Sequence, residues 1–92
     1  MAEPNFKKQA QLLKLLANPV RLEILAALSG KMVCVNNLSE LVSRRQPNIR
    51  QHLGIMRHAG LIDYQRKGKR ICYFIVNEKI EDIIKTLERR ML

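Results

Sequence analysis

The chain has 92 residues, of which 47% are hydrophobic, and its 17 Lys and Arg against 8 Asp and Glu give a net charge of +9. This length and apolar content predict one folded domain over residues 1–92 and exclude a chain that is disordered throughout. The positive balance favours an anionic partner. No apolar run approaches the about 20 residues of a membrane span, and the N-terminus is polar, so we expect no membrane partner and a cytoplasmic location.

Two helices are predicted at the start of the chain. The first begins at Pro4 and ends near Ala17, and its broad apolar stripe suits either core packing or contact with a second subunit. The second begins at Pro19 and stops at Gly30, a residue suited to a left-handed cap. Arg21 is expected on the outer side of this helix.

A short strand and a short helix are predicted next. Residues 32–35 are β-prone but long enough for only one short strand. Asn37 and Glu40 resemble a capping box, which would begin a third helix at Asn37. The predicted buried side of that helix consists of Leu38, Leu41 and Val42.

Residues 43–60 are predicted to enter and form a fourth helix with two different faces. Ile49, Leu53 and Met56 recur at i, i+4 and i+7 and therefore share a buried face. The opposite face carries cations and amides, which can pair with the base edges and phosphates of a DNA groove. The candidate contacts are Arg44, Arg45, Gln46, Asn48, Arg50, Gln51 and His52, with Arg44 and Arg45 assigned to phosphates.

A β-hairpin follows, with strands over residues 61–66 and 70–76 around the turn Lys67-Gly68-Lys69. Its basic tip is predicted to contact the DNA backbone or minor groove. The alternative is a cationic strand edge that only prevents aggregation. The tip residues are Arg66, Lys67, Lys69 and Arg70.

A last helix is predicted after the cap residue Asn77, again with a wide apolar stripe. The expected order is thus α-α-β-α-α-β-β-α, a mainly α chain with a small β-hairpin, which defines a winged helix-turn-helix. Broad stripes on the first and last helices suit pairing across a twofold axis. Such a dimer would place two recognition helices about 34 Å apart on DNA.

Four segments in this order resemble the ArsR/SmtB family of small winged-helix repressors. The resemblance implies a homodimer joined through the first and last helices, double-stranded operator DNA bound by the fourth helix and the wing, and release by an effector that the sequence does not identify. The pair Gln46-Pro47 resembles a subgroup associated with sulfide or redox sensing. The segments are LANPVRLEIL (16–25), VNNLSEL (35–41), QPNIRQHLGIMRHAGLI (46–62) and GKRICY (68–73).

The metal sites of that family are not matched. Its thiolate site uses Cys-Val-Cys at the third helix, where this chain has Cys34-Val35-Asn36, and a lone thiolate cannot complete a zinc or arsenic site. Its second zinc site uses His on the last helix, and residues 78–92 contain none. We expect neither a metal nor a cofactor; a metal-responsive repressor with an unrecognised site stays the alternative.

Cys34 and Cys72 are the remaining candidates for control of DNA binding. In winged helices the first strand usually pairs with the second wing strand, which would bring the two cysteines within disulfide reach, a Cα separation of about 4.4–6.8 Å. Oxidation or a persulfide bridge there would alter DNA affinity. The alternative is two unreactive residues in a reducing cytosol.

The sequence holds no Ser/His/Asp set, phosphate loop or carboxylate pair tied to a base, so we do not expect an enzyme. The leading prediction is a dimeric, sequence-specific, DNA-binding transcriptional repressor, possible redox sensing included. A winged helix that binds RNA is an alternative, for which exposed aromatic residues would be needed. A protein–protein adaptor that uses the wing against an acidic partner is another.

Overall fold

The computed structural model describes residues 4–42 and 49–90. Five helices and three strands lie within these ranges, and their order confirms the predicted winged helix-turn-helix. The elements are α1 (Phe6–Leu16), α2 (Pro19–Leu28), β1 (Val33–Cys34), α3 (Val35–Leu41), α4 (Ile49–His58), β2 (Ile62–Lys67), β3 (Arg70–Ile75) and α5 (Glu78–Arg90).

Asparagine side chains begin three of the helices. The Asn5 Oδ1 accepts a hydrogen bond from the backbone N–H of Lys8 at 3.0 Å, so α1 begins after Asn5 and not at Pro4. Asn18 accepts two backbone hydrogen bonds, at 2.9 and 3.1 Å, immediately before the predicted start of α2. Asn77 caps α5 as predicted, with bonds of 2.9 and 3.3 Å.

Helix α3 begins two residues earlier than predicted, and the predicted capping box is wrong. Cys34 occupies the N-cap position without a side-chain hydrogen bond, and Asn37 lies inside the helix on its exposed side. The pairing of Val33 and Cys34 with β3 fixes the backbone up to Cys34, so the helix starts directly after the strand. Leu41, predicted to be buried, is 53% exposed, whereas Leu38 is buried.

The three strands form one antiparallel sheet in the order β1-β3-β2. Lys67 is the last residue of β2 and pairs with Arg70, so the turn is one residue shorter than predicted and consists of Gly68 and Lys69. Gly68 has a φ of +64°, as the hairpin turn requires. β3 is the central strand and therefore links β1 to the wing, defined here as residues 62–75.

The core is aliphatic and lies between α2, α3, α4, α5 and the sheet. Because each helix contributes residues at helical spacing, one apolar cluster closes over all of them. Tyr73 and Ile75 of β3 pack against this cluster, as predicted from strand alternation. The buried members are Leu16, Ile24, Leu25, Leu28, Val33, Leu38, Val42, Ile49, Leu53, Met56, Leu61, Ile62, Ile80 and Ile84.

Part of the apolar stripe of α1 faces outward. Phe6 is 73% exposed and Leu13 is 57% exposed, while Leu16 on the other edge of the same helix is buried. Leu87 of α5 is 38% exposed. Both terminal helices therefore present large apolar side chains that this single chain does not cover. Within the described ranges, no helix combines the length and the apolarity that crossing a bilayer requires.

Candidate nucleic-acid interface

Helix α4 has the two faces that the sequence predicted. Ile49, Leu53 and Met56 are buried in the core, which fixes the rotation of the helix about its own axis. Arg50 and Gln51 consequently lie on the exposed side. An exposed guanidinium and amide on a helix surface are suited to hydrogen bonds with phosphates and base edges. Of the remaining candidate contacts, Arg44, Arg45, Gln46 and Asn48 lie outside the described residues.

His52 is half-buried and contacts another helix. Its Nδ1 accepts a hydrogen bond from Nε of Arg21 at 3.2 Å. Arg21 also donates from Nη1 to the main-chain oxygen of Leu15 at 3.0 Å, so its predicted place outside the fold is wrong. Arg21 joins α1, α2 and α4, and no local signal identifies it because its partner on α4 lies 31 residues away. Of the two ring nitrogens of His52, this bond leaves Nε2 for any contact with DNA.

The wing carries its cations on exposed positions. Arg66, Lys67, Lys69 and Arg70 are all exposed, and Lys67 and Arg70 are direct partners across the two strands. Like charges that face each other across a hairpin repel, which an anionic partner relieves. The wing therefore presents a positive surface of the kind that binds the phosphate backbone.

The one acidic residue of this basic segment is paired with a residue at the end of α4. Arg57 Nε lies 3.0 Å from Oδ1 of Asp63. The same oxygen accepts the backbone N–H of Tyr64 at 2.8 Å, and this bond, followed by the one from Arg57, lowers the pKa of the Asp63 carboxyl. The Asp63 hydrogen bond in turn raises the pKa of Arg57. Asp63 therefore neutralises Arg57 and leaves the wing tip positive.

The exposed aromatic ring near the wing is already in contact with protein groups. The Tyr64 ring lies 5.7 Å from that of Tyr73, and the Arg57 guanidinium lies 4.5 Å from the Tyr64 ring centroid. Base stacking on Tyr64 would have to replace the contact with Arg57. This arrangement disfavours the RNA-binding alternative.

Cys34 and Cys72 are Cα partners in the β1–β3 pair and are joined by a disulfide. Their Cα separation of 3.6 Å is shorter than the predicted range, because the two residues are directly opposed in antiparallel strands. Cys72, on the central strand, is 1% exposed, and it lies outside the core cluster, on the sheet side away from Tyr73. The bond links the residue before α3 to the wing.

A cleft of about 230 Å³ adjoins this disulfide. It brings Arg50 of α4 together with Lys69 and Arg70 of the wing, three of the residues predicted to contact DNA, and places Cys34 beside them. No lining residue is acidic. The remaining lining residues are Val35, Asn36 and Ile71.

Among the described residues, no group of three or more His, Cys, Asp and Glu side chains could hold a metal ion. The exposed face of α4 and the cationic wing define a winged helix-turn-helix DNA-binding protein. Residues 18–64 match the family described as "Bacterial regulatory protein, arsR family", and the chain belongs to this family. The family consists of DNA-binding transcriptional regulators and not of enzymes.

Named relatives agree with this membership. The HTH-type transcriptional regulator YgaV of Escherichia coli is 41% identical over 83 residues, which cover 89% of this chain and 84% of that protein. The Biofilm growth-associated repressor of Agrobacterium fabrum is 37% identical over 78 residues, covering 85% of this chain and 67% of the repressor. The structure of reduced HlyU from Vibrio cholerae superposes with a TM-score of 0.87 at 30% identity, covering 95% and 92% of the two chains.

Proposed function

We propose that this protein is a homodimeric transcriptional repressor that binds double-stranded operator DNA through α4 and the wing, with an affinity that depends on the redox state of Cys34 and Cys72. The observation that carries the proposal is the cleft in which Arg50, two wing cations and the disulfide meet. Such a regulator acts on chromosomal DNA, so we place it in the cytoplasm.

Helix α4 and the wing have different roles in this proposal. Gln51 is exposed on α4, and a glutamine amide can make two hydrogen bonds to adenine in the major groove, so it reads sequence. Arg50 contacts a base or a phosphate. The wing cations contact the backbone or the minor groove and position the protein without reading sequence. Arg44, Arg45, Gln46 and Asn48 stay predicted contacts of the same helix.

The dimer is formed by α1 and α5. Phe6 and Leu13 expose most of their surface on α1, which is costly for a monomer in water. A groove of about 370 Å³ between α2 and α5, lined largely by apolar side chains, continues this surface at Leu87. Pairing across a twofold axis covers both features and presents two copies of α4 to successive DNA turns.

The disulfide couples chemistry to DNA binding through its position in the chain. Cys34 immediately precedes α3, the first helix of the helix-turn-helix, and Cys72 lies two residues after Arg70 of the wing. The bond restrains the wing relative to α3 when it is formed and releases it when it is reduced. The two redox states therefore differ in how α4 and the wing meet one duplex.

The redox response is tested by selecting duplexes from a random pool and measuring the affinity of the selected duplex for oxidised and reduced protein. We expect the two affinities to differ by about fivefold or more, the usual range of coupling between two sites. The Cys34→Ser/Cys72→Ser variant should bind with one affinity under both conditions. Equal affinities for the two forms of the wild type would rule out the redox response.

The role of the wing is tested by the salt dependence of the same affinity. Lys67→Ala/Lys69→Ala should reduce the slope of log affinity against log salt by about 2, one for each lost phosphate contact. Lys31→Ala/Lys79→Ala removes the same charge outside α4 and the wing and should leave the slope nearly unchanged. Equal slopes for the wild type and the wing variant would refute backbone contact by the wing.

The dimer is tested by sedimentation of single variants. Leu13→Glu places a charge on the exposed apolar face of α1 and should give a folded monomer. Leu41→Glu is the matched control, because Leu41 is exposed to a similar degree, at 53% against 57%, but lies on α3. A dimer that survives Leu13→Glu, or dissociates equally with Leu41→Glu, would contradict pairing through α1.

A further inference from the structure

We propose that the cleft lined by Cys34, Arg50, Lys69 and Arg70 binds a small anionic thiol, which reduces the disulfide by attacking Sγ of Cys34. The inference rests on the proposed redox response and specifies the reductant and the sulfur atom that it reaches. It assigns a second ligand to residues that the proposed function uses only for DNA.

The two sulfur atoms of the bond differ in access. Cys34 is on the edge strand β1, is only partly buried and lines the cleft. Cys72 is on the central strand β3, between β1 and β2, and is 1% exposed. Thiol–disulfide exchange requires direct approach of a thiolate to one sulfur, so access decides which sulfur is attacked. Attack at Cys34 is the accessible route.

The charges of the cleft select the attacking molecule. Arg50 comes from α4, Lys69 and Arg70 come from the wing, and none of the lining residues carries a carboxylate. Three converging cations raise the local concentration of small anions and disfavour cations. A volume of about 230 Å³ accommodates a small organic thiol. The cleft therefore favours a thiol that carries a carboxylate or sulfonate over a neutral or cationic one.

The reaction consists of two exchange steps. A thiolate attacks Sγ of Cys34, a new S–S bond forms between the small thiol and Cys34, and the bond to Cys72 breaks with Cys72 leaving as the thiolate. A second molecule of thiolate then attacks the sulfur of the small thiol and releases Cys34 as its thiolate. The small thiol is oxidised to its symmetric disulfide, and the two electrons reside on the two cysteine thiolates.

The test uses three reductants with the same two-carbon skeleton, which are 2-mercaptoethanesulfonate, 2-mercaptoethanol and cysteamine. Each rate of reduction of the free oxidised protein is divided by the rate of the same thiol with a small uncharged disulfide, which removes differences in intrinsic reactivity. At low salt the anionic thiol should have a normalised rate about tenfold above that of the neutral one, with the cationic thiol slowest. Equal normalised rates would overturn the proposal.

Two variants with the same loss of charge separate the cleft from the overall charge of the protein. Lys69→Gln/Arg70→Gln removes two cations that line the cleft and should abolish most of the preference for the anionic thiol. Arg66→Gln/Lys67→Gln removes two wing cations that do not line it and should retain the preference. An equal loss in both variants would mean that long-range attraction, and not this cleft, selects the anion.

The attacked atom is identified by acid quenching during the reaction and by mass spectrometry of the peptides. We expect the 2-mercaptoethanesulfonate adduct on Cys34, and an adduct found mainly on Cys72 would contradict the assignment. All rates are measured without DNA. The cleft can therefore fail this test while oxidised and reduced protein still differ in operator affinity, and that difference can be absent while the anionic thiol is still preferred.

Discussion

Arg21 of α2 donates a hydrogen bond from Nε to Nδ1 of His52 on α4 at a distance of 3.2 Å. The same guanidinium donates to the main-chain oxygen of Leu15, at the end of α1. One side chain thus connects the helix proposed for DNA contact to the helix proposed for dimerisation. The orientation of α4 depends on this bond as well as on its buried apolar face.

We expect Arg21→Met to lower the free energy of unfolding by about 1–3 kcal/mol, because Met keeps the aliphatic length but leaves two partly buried acceptors without this donor. His52→Leu removes only one of the two bonds and should cost about 1 kcal/mol. The double variant should be close to Arg21→Met alone. Urea denaturation of the four proteins gives the cycle, and strict additivity would show that the Arg21–His52 bond contributes nothing.

The two asparagines predicted to cap helices should respond differently to alanine. Asn77→Ala removes the acceptor for two backbone N–H groups of α5 and should destabilise the protein by about 1 kcal/mol. Asn37→Ala changes a residue inside α3 and should stabilise it by about 0.5 kcal/mol, because alanine has the higher helix propensity. Thermal unfolding of both variants measures the difference. A loss of similar size at Asn37 would restore the predicted capping box.

These caps show what the sequence could predict and why. The buried face of α4 followed from the spacing of Ile49, Leu53 and Met56, since burial at helical period is a local property. The start of α3 was wrong because the backbone there is fixed by pairing with β3, whose residues lie almost 40 positions away, at a separation of 38 for Cys34 and Cys72. A capping pattern cannot compete with a strand pair that it does not contain.

The candidate site divides in the same way. Exposure of Arg50, Gln51 and the wing cations followed from residue type and local period. The Arg21–His52 contact and the meeting of Arg50 with Lys69 arise from the packing of elements that are distant in sequence. The register of Cys34 against Cys72 followed from the resemblance to winged helices and not from the local pattern of either strand.

Asp63 should make the stability of the protein depend on pH in the acid range. The hydrogen bond from the Tyr64 backbone and then that from Arg57 lower the pKa of this carboxyl in the folded state. Its contribution is therefore present above the unfolded pKa of about 3.9 and is lost as the pH falls through the lower folded pKa. Asp63→Asn should be less stable than the wild type near pH 6 and should converge with it near about pH 2.

Arg57→Gln is the informative companion, because it removes the second cause of the lowered pKa and leaves the first. Its unfolding free energy should keep part of the acid dependence, which Asp63→Asn lacks. Urea midpoints over this pH range measure both. Parallel curves for the wild type and Asp63→Asn would show that Asp63 is not linked to folding.

Duplex DNA and the anionic thiol require the same cations, Arg50, Lys69 and Arg70, so DNA should protect the disulfide selectively. With the selected duplex at saturation, the rate of reduction by 2-mercaptoethanesulfonate should fall by about tenfold relative to its fall for 2-mercaptoethanol, because phosphates neutralise the charges that attract the sulfonate. Thiol alkylation followed by mass measurement gives both rates. An equal fall for both reductants would mean that DNA only covers the cleft, and unchanged rates would place the duplex away from it.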